Sequence, residues 1–463
     1  MLPMRHVMRP GRAAARREPG SGSTRRSGTE SDFGERTAKL SRYLGWHAVA
    51  SDQIGNGRCK ELDQPAAARR ESVKATILLS FGLVANLATQ MTFAATLPEI
   101  AADWVLDARR SGWIGGIYFA GYAAAVPFLA SATDRSDGRW VYVGSALLGA
   151  AASFAFAVSA HGFVVALVLR FLGGIGLAGV HMPGLNLLMD RVDRSHQGRS
   201  AGIYTSSYAA GSAGSFVLAG VVDAALGWRA AFAVAGTGPL LSICAVALLP
   251  AVSVDRGADH RRPPYRALLR NRALIAYVAA FAGNTWEVFA VRVWFVAYLA
   301  WLLSLPGNHI SLPALGVLAG VASLAGVPVS MLMAEVAARH GRRPVIIGIC
   351  LVSVATCVAL AATAGGPIGT VLPLLVLVQI TSFADVGALA GGAVAAADPA
   401  QRGAALALYA LAGFTTGFLG PVAVGKVLDW FGGAATASGW RGGYAVIAIG
   451  SAAAAWAVSR APE

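Results

Sequence analysis

The sequence predicts an all-α membrane protein, twelve transmembrane helices in two six-helix bundles after a disordered N-terminal tail. Three observations predict it. Apolar residues make up 56% of the 463 positions and Asp, Glu, Lys and Arg only 13%, about half the charged share of an ordinary soluble domain. Beyond Lys74, with Lys426 the one remaining lysine, apolar segments of membrane-spanning length follow one another. Features of the first six segments then return about 205 residues later in the next six, and such internal repeats mark transporters.

The tail comes first. Residues 1–72 are rich in Arg, Gly, Ser and Ala and lack the apolar core of a signal peptide, so disorder is expected. Fifteen of the 38 basic residues lie in the first 74 positions beside eight acids. The other basic residues are spread thinly, which argues against a nucleic-acid binder despite the net charge of +14. Two readings of the tail stay open: a cytosolic segment touching anionic lipid through Arg12, Arg16, Arg17, Arg25 and Arg26, or inert sequence upstream of a later start. No catalytic role is expected of it.

The spans follow at 75–97, 111–132, 141–160, 163–188, 201–223, 230–250, 273–303, 313–336, 344–364, 368–394, 403–427 and 442–460. Barrel strands run near 10 residues and alternate; these segments are twice as long and do not. The longest internal loop, near 251–272, divides six spans from six, giving an N-terminal bundle over 75–250, a cytoplasmic linker over 251–272 and a C-terminal bundle over 273–460. With the N-terminus inside, inside loops hold sixteen basic residues and outside loops five, so both termini are expected in the cytoplasm. Gly227-Trp228-Arg229 after Asp223 is echoed by Gly439-Trp440-Arg441 after Asp429, and Gly138-Arg139 by Gly341-Arg342-Arg343.

Cys59 lies in the tail, and Cys244, Cys350 and Cys357 lie in apolar runs with no ligand spacing, so no metal site is expected and buried cysteines are. No Gly-x-x-x-x-Gly-Lys-Ser/Thr phosphate loop occurs, nor a soluble domain that could hold a catalytic set. No enzyme and no cofactor is expected.

From about residue 75 to the C-terminus the chain resembles the major facilitator superfamily of secondary transporters. Asp134-Arg135-Ser136-Asp137-Gly138-Arg139 is similar to the family's loop between spans two and three, with Asp137 standing as an insertion and Trp140 where a second basic residue is usual. Arg170-Phe171-Leu172-Gly173-Gly174-Ile175-Gly176 resembles the span-four motif. The segment from Gly211 to Gly220 resembles a weakened span-five motif, with Ser215 in place of the common proline. Gly341-Arg342-Arg343 repeats the loop motif, its acidic partner displaced to Glu335. In span seven, Asn284, Trp286, Glu287, Arg292 and Trp294 are similar to the pattern of a group of bacterial permeases, a match that narrows the family and not the cargo.

The polar residues of spans one, four, seven and ten are the candidates for the coupling or substrate site: Asn86, Gln90, Arg170, His181, Asn284, Glu287, Arg292, Gln379 and Asp385. Charge inside a membrane is costly and usually faces protein or water, and the resemblance implies that these four spans line a central cavity. Asn86 and Gln90 share one helix face. Glu287 and Arg292 fall about 140° apart with Asn284 between them, so one broad polar face can hold all three. Asp385 is the first choice for proton coupling and Glu287 the second; a structural ion pair is the alternative for each. Arg170 either compensates a buried acid or binds an anionic cargo. His181 titrates or simply hydrogen-bonds. Asp134, Arg135, Gly138 and Arg139 are expected to form a conformational latch through a sharp Asp-Gly turn, and Asp223 and Asp429 to cap their own spans near Arg229 and Arg441.

The resemblance implies proton-coupled transport of a small solute across a bacterial inner membrane, export being favoured. The partners expected are that solute, protons and membrane lipid, without nucleic acid, on a monomeric chain. Uptake of a small organic anion is the runner-up, supported by Arg170 and Arg292, and a non-transporting sensor of the same fold is a second class.

Overall fold

The computed structural model describes residues 66–135, 137–193, 195–249, 265–308, 314–398 and 401–461. The expected disorder of the tail therefore falls outside the described residues as far as residue 65. Residues 66–72, assigned to that tail, are already helical.

Among the described residues, twelve helical spans are long and apolar enough to cross a membrane. The first, α1 (Arg69–Trp104), joins a helix Ala66–Asn86 to a helix Thr92–Trp104 through a tight turn at Leu87–Thr89. Next come α2 (Ala108–Arg135), α3 (Gly138–Ser159), α4 (Phe163–Met189), α5 (Gln197–Leu226) and α6 (Trp228–Ala247). A short helix, Tyr265–Arg270, leads into α7 (Arg272–Ser304), α8 (Leu315–His340) and α9 (Arg342–Ala362). Then α10 (Ile368–Ala396) is interrupted at Asp385, and α11 (Arg402–Trp430) and α12 (Ala437–Ser459) complete the chain. All twelve overlap the spans read from the sequence.

The turns have local causes. Asp137 and Asn271 accept backbone N–H groups of Arg139 and Leu274 and so cap α3 and α7. Gly227 and Gly341 have φ of 82° and 91°, which lets α5 reverse into α6 and α8 into α9 without the strain a side chain would bring.

The two halves pack alike. In the first, α2 lies on α4, α3 on α6, and α1 on both α5 and α6; in the second, α8 lies on α10, α9 on α12, and α7 on both α11 and α12. The halves meet where α2 crosses α11 and α5 crosses α8, two contacts that the repeat interchanges. Small residues permit these crossings. A Cβ on Gly220 would stand 2.7 Å from Gly316 Cα, and one on Gly174 would collide with the backbone of Tyr118. The repeated tryptophans are both buried: Trp228 donates to Asp103 at 2.8 Å and meets Trp104, while Trp440 donates to the Ala434 carbonyl at 2.7 Å and meets Trp294.

Large apolar side chains such as Ile77, Phe81, Phe128, Leu147, Met331, Leu351 and Trp456 are exposed along the spans, an arrangement lipid satisfies and water does not. Cys244 is also exposed, contrary to expectation, while Cys350 and Cys357 are buried. Cys244 lies on the outward side of α6, where apolar character signals contact with lipid rather than with protein.

Candidate functional site

Because the spans alternate in direction, one end of the molecule, the terminal face, carries the start of α1 and the end of α12. The opposite face carries the α1–α2, α5–α6, α7–α8 and α11–α12 turns.

The break in α1 frees backbone groups at mid-depth, and neighbouring helices satisfy them. Ser215 of α5 donates to the Ala88 carbonyl at 2.6 Å and accepts from Met91 N–H at 3.0 Å. Arg170 of α4 donates through Nη1 to the Thr89 carbonyl at 3.0 Å and through Nη2 to the Gln90 carbonyl at 2.9 Å, its guanidinium lying 4.4 Å from the Tyr118 ring centroid. Arg170 thus braces a broken helix. The serine in the usual proline position of the span-five motif belongs to the same brace.

Beside it lies a ring of polar and aromatic groups drawn from both bundles. Gln90 Nε2 donates to the Tyr208 hydroxyl at 2.6 Å. Tyr208 packs 4.8 Å from the His181 ring, and His181 Nδ1 bonds the Tyr122 hydroxyl at 2.8 Å. Tyr204 donates to the His181 carbonyl at 2.9 Å. From the second bundle, Arg292 Nη1 donates to Ser212 Oγ of α5 at 3.0 Å, and its guanidinium sits 5.2 Å from the Phe383 ring centroid. Phe414 stacks on Tyr122 at 3.8 Å, and Phe289 meets Phe119 at 3.9 Å.

Glu287 and Asp385 face elsewhere. Glu287 accepts from Ser353 of α9 and Ser451 of α12, and Ser353 also contacts Thr381 of α10 at 3.1 Å. Asp385, at the break in α10, accepts from Asn284 Nδ2 at 2.6 Å and from the Cys350 thiol at 3.7 Å. Both carboxyls are buried inside the second bundle, and among the described residues no Lys, Arg or His pairs with either. Glu287 and Arg292 thus find their partners on other spans, and the broad polar face of α7 is divided. Asn284 and Glu287 turn inward, and Arg292 turns toward the first bundle, as a separation of about 140° requires. Gln379 donates to Ser323 of α8. Asn86 Nδ2, Gln90 Oε1, Asn284 Oδ1 and Gln379 Oε1 are buried without a hydrogen-bond partner among the described residues.

At the terminal face, the side chains of Asp134 and Arg135 lie outside the described residues. Asp137 accepts from Arg139 N–H at 2.9 Å and pairs with its guanidinium at 3.0 Å. Slight burial would raise the Asp137 carboxyl, but the Arg139 N–H and guanidinium prevail and hold it below its ordinary value. Gly138 is the first residue of α3, packed near Leu187, and does not need the left-handed backbone that a sharp Asp-Gly turn suggests. Glu335 pairs with Arg339 at 2.7 Å in an i,i+4 bridge.

At the opposite face, Asp429 of α11 does not serve its own span. Its Oδ1 accepts from Ala108 N–H at 3.0 Å and its Oδ2 from Arg109 N–H at 2.8 Å, capping α2 across the bundle interface. Asp223 lies against Glu99, and Arg229 stacks on Trp228.

Tyr122, Tyr204, Tyr208, Ser212 and Asp429 were not picked out as site residues by the sequence. The one available signal was spacing: Tyr204, Tyr208 and Ser212 recur every four residues and share a face of α5.

Residues 79–307 match the profile of the Major Facilitator Superfamily. The niacin transporter NiaP of Acinetobacter baylyi is 27% identical over 143 residues, 31% of this chain and 32% of that protein. The probable L-galactonate transporter of Escherichia coli is 23% identical over 276 residues, 56% of this chain and 60% of that protein. The chain thus spans from a third to three-fifths of the length of these relatives. Among solved structures, a bacterial homologue of the human lysosomal transporter Spinster, inward-facing and occupied, superposes with a TM-score of 0.67 at 14% identity, covering 83% of this chain and 95% of that one. The nucleoside transporter NupG superposes with a TM-score of 0.63 at 16% identity, covering 84% and 98%. At these identities the superpositions establish the fold, and with the profile match and the twelve spans they lead to one assignment: the chain is a multi-pass membrane protein and belongs to the major facilitator superfamily.

Proposed function

We propose that the protein is a secondary active transporter that moves a small solute across the inner membrane by alternating access, coupled to protons. The observation that carries this reading is the ring of Gln90, Tyr122, His181, Tyr208, Arg292 and Phe414, contributed by both bundles and roofed at one face by the contact of Asp429 with α2. A polar site between two repeat-related bundles is where a rocking transporter binds its cargo. The relatives named for niacin and L-galactonate support a small organic solute.

Coupling is assigned to Asp385 and Glu287. A buried carboxyl held by neutral groups alone is costly as an anion and is readily carried as an acid. Asp385 sits where α10 is interrupted, so a change in that helix would alter its contact with water. With both termini in the cytoplasm, the contacts at the opposite face close the external side. The terminal-face loop with Asp134, Arg135, Gly138 and Arg139 then latches the alternative state. Export follows from the span-four and span-five resemblance; uptake of a small organic anion is the second reading, favoured by Arg292. The transporter works as a monomer in contact with lipid.

The test is counterflow in liposomes holding the purified chain, run over a panel of metabolites and drugs, with everted vesicles fixing direction. Exchange of at least one solute is expected. Absence of exchange across the panel, with the protein folded and inserted, contradicts transport and leaves the sensor reading.

A further inference from the structure

We infer that the cargo is a small organic monocarboxylate, held by Arg292 at the bundle interface. The inference rests on the transport reading above and names the chemistry that the site selects.

Among the described residues two arginines are buried near mid-depth, Arg170 and Arg292, and they are used differently. Arg170 gives both terminal nitrogens to backbone carbonyls at the α1 break, and only its Nε is left without a partner. Arg292 is 3% exposed and makes one hydrogen bond, from Nη1 to the neutral Ser212 hydroxyl. Its remaining N–H donors have no partner among the described residues, and no carboxylate pairs with it. A buried cation without a counter-charge is expensive unless an anion arrives. Asp385 and Glu287, the acids that could have supplied one, are turned into the second bundle and bonded to Asn284, Cys350, Ser353 and Ser451.

The surroundings restrict the anion. One free guanidinium compensates one negative charge, so a monoanion fits and a dianion leaves charge unbalanced in a buried site. The planar fork matches the two oxygens of a carboxylate. Tyr208 accepts from Gln90 Nε2 at 2.6 Å, which leaves its own O–H to donate, and Ser212 likewise accepts from Arg292 and keeps a proton to give. These two hydroxyls share one face of α5, four residues apart. Phe289, Phe383 and Phe414 supply apolar walls suited to an organic body. Gln90 Oε1, buried and unpartnered, offers an acceptor to a hydroxyl or N–H on that body. Arg292 also reaches across the interface to Ser212, so an anion that draws the guanidinium to itself alters a contact between the bundles. Cargo binding and bundle movement would share that one side chain.

The test uses the purified full chain in nanodiscs and three radiolabelled probes, pyruvate, benzoate and gluconate, each competed with its neutral amide. At least one anion is expected to bind and its amide to compete poorly. Arg292→Gln should weaken that binding roughly ten- to a hundredfold, the loss of charge-assisted hydrogen bonds. Arg292→Lys, which keeps the charge and loses the fork, should weaken it less and guards against a glutamine variant that fails to fold. Size-exclusion profiles establish folding. The inference is overturned if the anion binds equally well to folded Arg292→Gln, if only the amides bind, or if none of the probes binds. Counterflow separates it from the transport reading. Anion binding that depends on Arg292 without any counterflow removes transport and keeps the site. Counterflow of an amide, unchanged in Arg292→Gln, removes the anion site and keeps transport.

Discussion

Asp429→Asn should loosen the opposite face. In the structure the carboxylate receives two N–H groups from the first turn of α2, at 3.0 and 2.8 Å, and these belong to the other bundle. Each hydrogen bond to a charged acceptor contributes about 1.5–3 kcal/mol when desolvated, and an anion at a helix N-terminus adds about 0.3–1 kcal/mol. Asp429 is only half-buried, which lowers both figures, and asparagine retains one acceptor oxygen. The expected net loss is about 1–2 kcal/mol for Asn and about 2–3 kcal/mol for Ala, shifting the closed-to-open ratio roughly five- to thirtyfold for Asn. Spin labels at His161 and Ala435, one on each bundle near this face and both exposed, would report the shift by electron–electron distance measurement in a background with the exposed Cys244 replaced. The longer-distance population should grow in the order wild type, Asn, Ala. An unchanged distribution in both variants, or a larger change for Asn than for Ala, would refute the assignment of Asp429 to the bundle interface.

Four further outcomes are expected. In intact cells an impermeant thiol reagent should label a cysteine at Pro306 and spare one at Arg270, both exposed positions; the reverse pattern overturns the orientation. Gly174→Val should abolish folding, since a side chain there meets the Tyr118 backbone and overpacking costs about 1–3 kcal/mol even where neighbours can yield; wild-type expression and monodispersity would contradict the α2–α4 crossing. Gly138→Trp should slow flux while leaving solute binding largely intact, read by parallel binding and transport assays; collapse of binding in a folded protein counts against a latch. Asp137→Ala should cost about 1 kcal/mol of local helix stability through the lost cap. The Asp137 carboxyl is held below its ordinary value, so this contribution is present above the unfolded-state value and disappears as pH falls through the lower folded one. Hydrogen exchange at the start of α3 measured against pH would reveal a dependence of the opposite sign.

The spans were legible because apolar length and loop charge are set by the bilayer itself; eleven appear within about five residues of their expected bounds, and the first, Arg69–Trp104, extends further at both ends than the expected 75–97. The breaks were not. Nothing in the stretch from Leu87 to Met91 announces that the backbone leaves the α-helix there, because the partners that satisfy it, Ser215 and Arg170, lie about 80–130 residues away in sequence. The role of Arg170 was hidden for the same reason: a cation that binds carbonyls leaves no acidic counterpart in the sequence. Periodicity gave the angle between Glu287 and Arg292 correctly but not the neighbour each would meet, which depends on Ser353 and Ser451 in distant spans. Asp429 was read beside Arg441, its neighbour in sequence, whereas the helix end it caps begins 321 residues earlier. Loop position alone does not reveal burial either: Asn308, in the turn after α7, has a buried side chain that joins the Leu302 and Gly366 carbonyls to Ile368 N–H.

The central claim, alternating access driven through a protonatable acid, is tested most directly on Asp385→Asn. One purified variant would be assayed twice in liposomes with a solute that exchanges in wild type, once with a pH gradient driving flux and once by counterflow without a gradient. Asparagine resembles the protonated acid, preserves the size of a side chain held by Asn284 and Cys350, and takes no partner from an arginine, since the hydrogen bonds of Arg170 and Arg292 go to other groups than Asp385. The account predicts that gradient-driven flux is lost and counterflow persists. Gradient-driven flux near the wild-type rate would contradict coupling at Asp385 and move the assignment to Glu287.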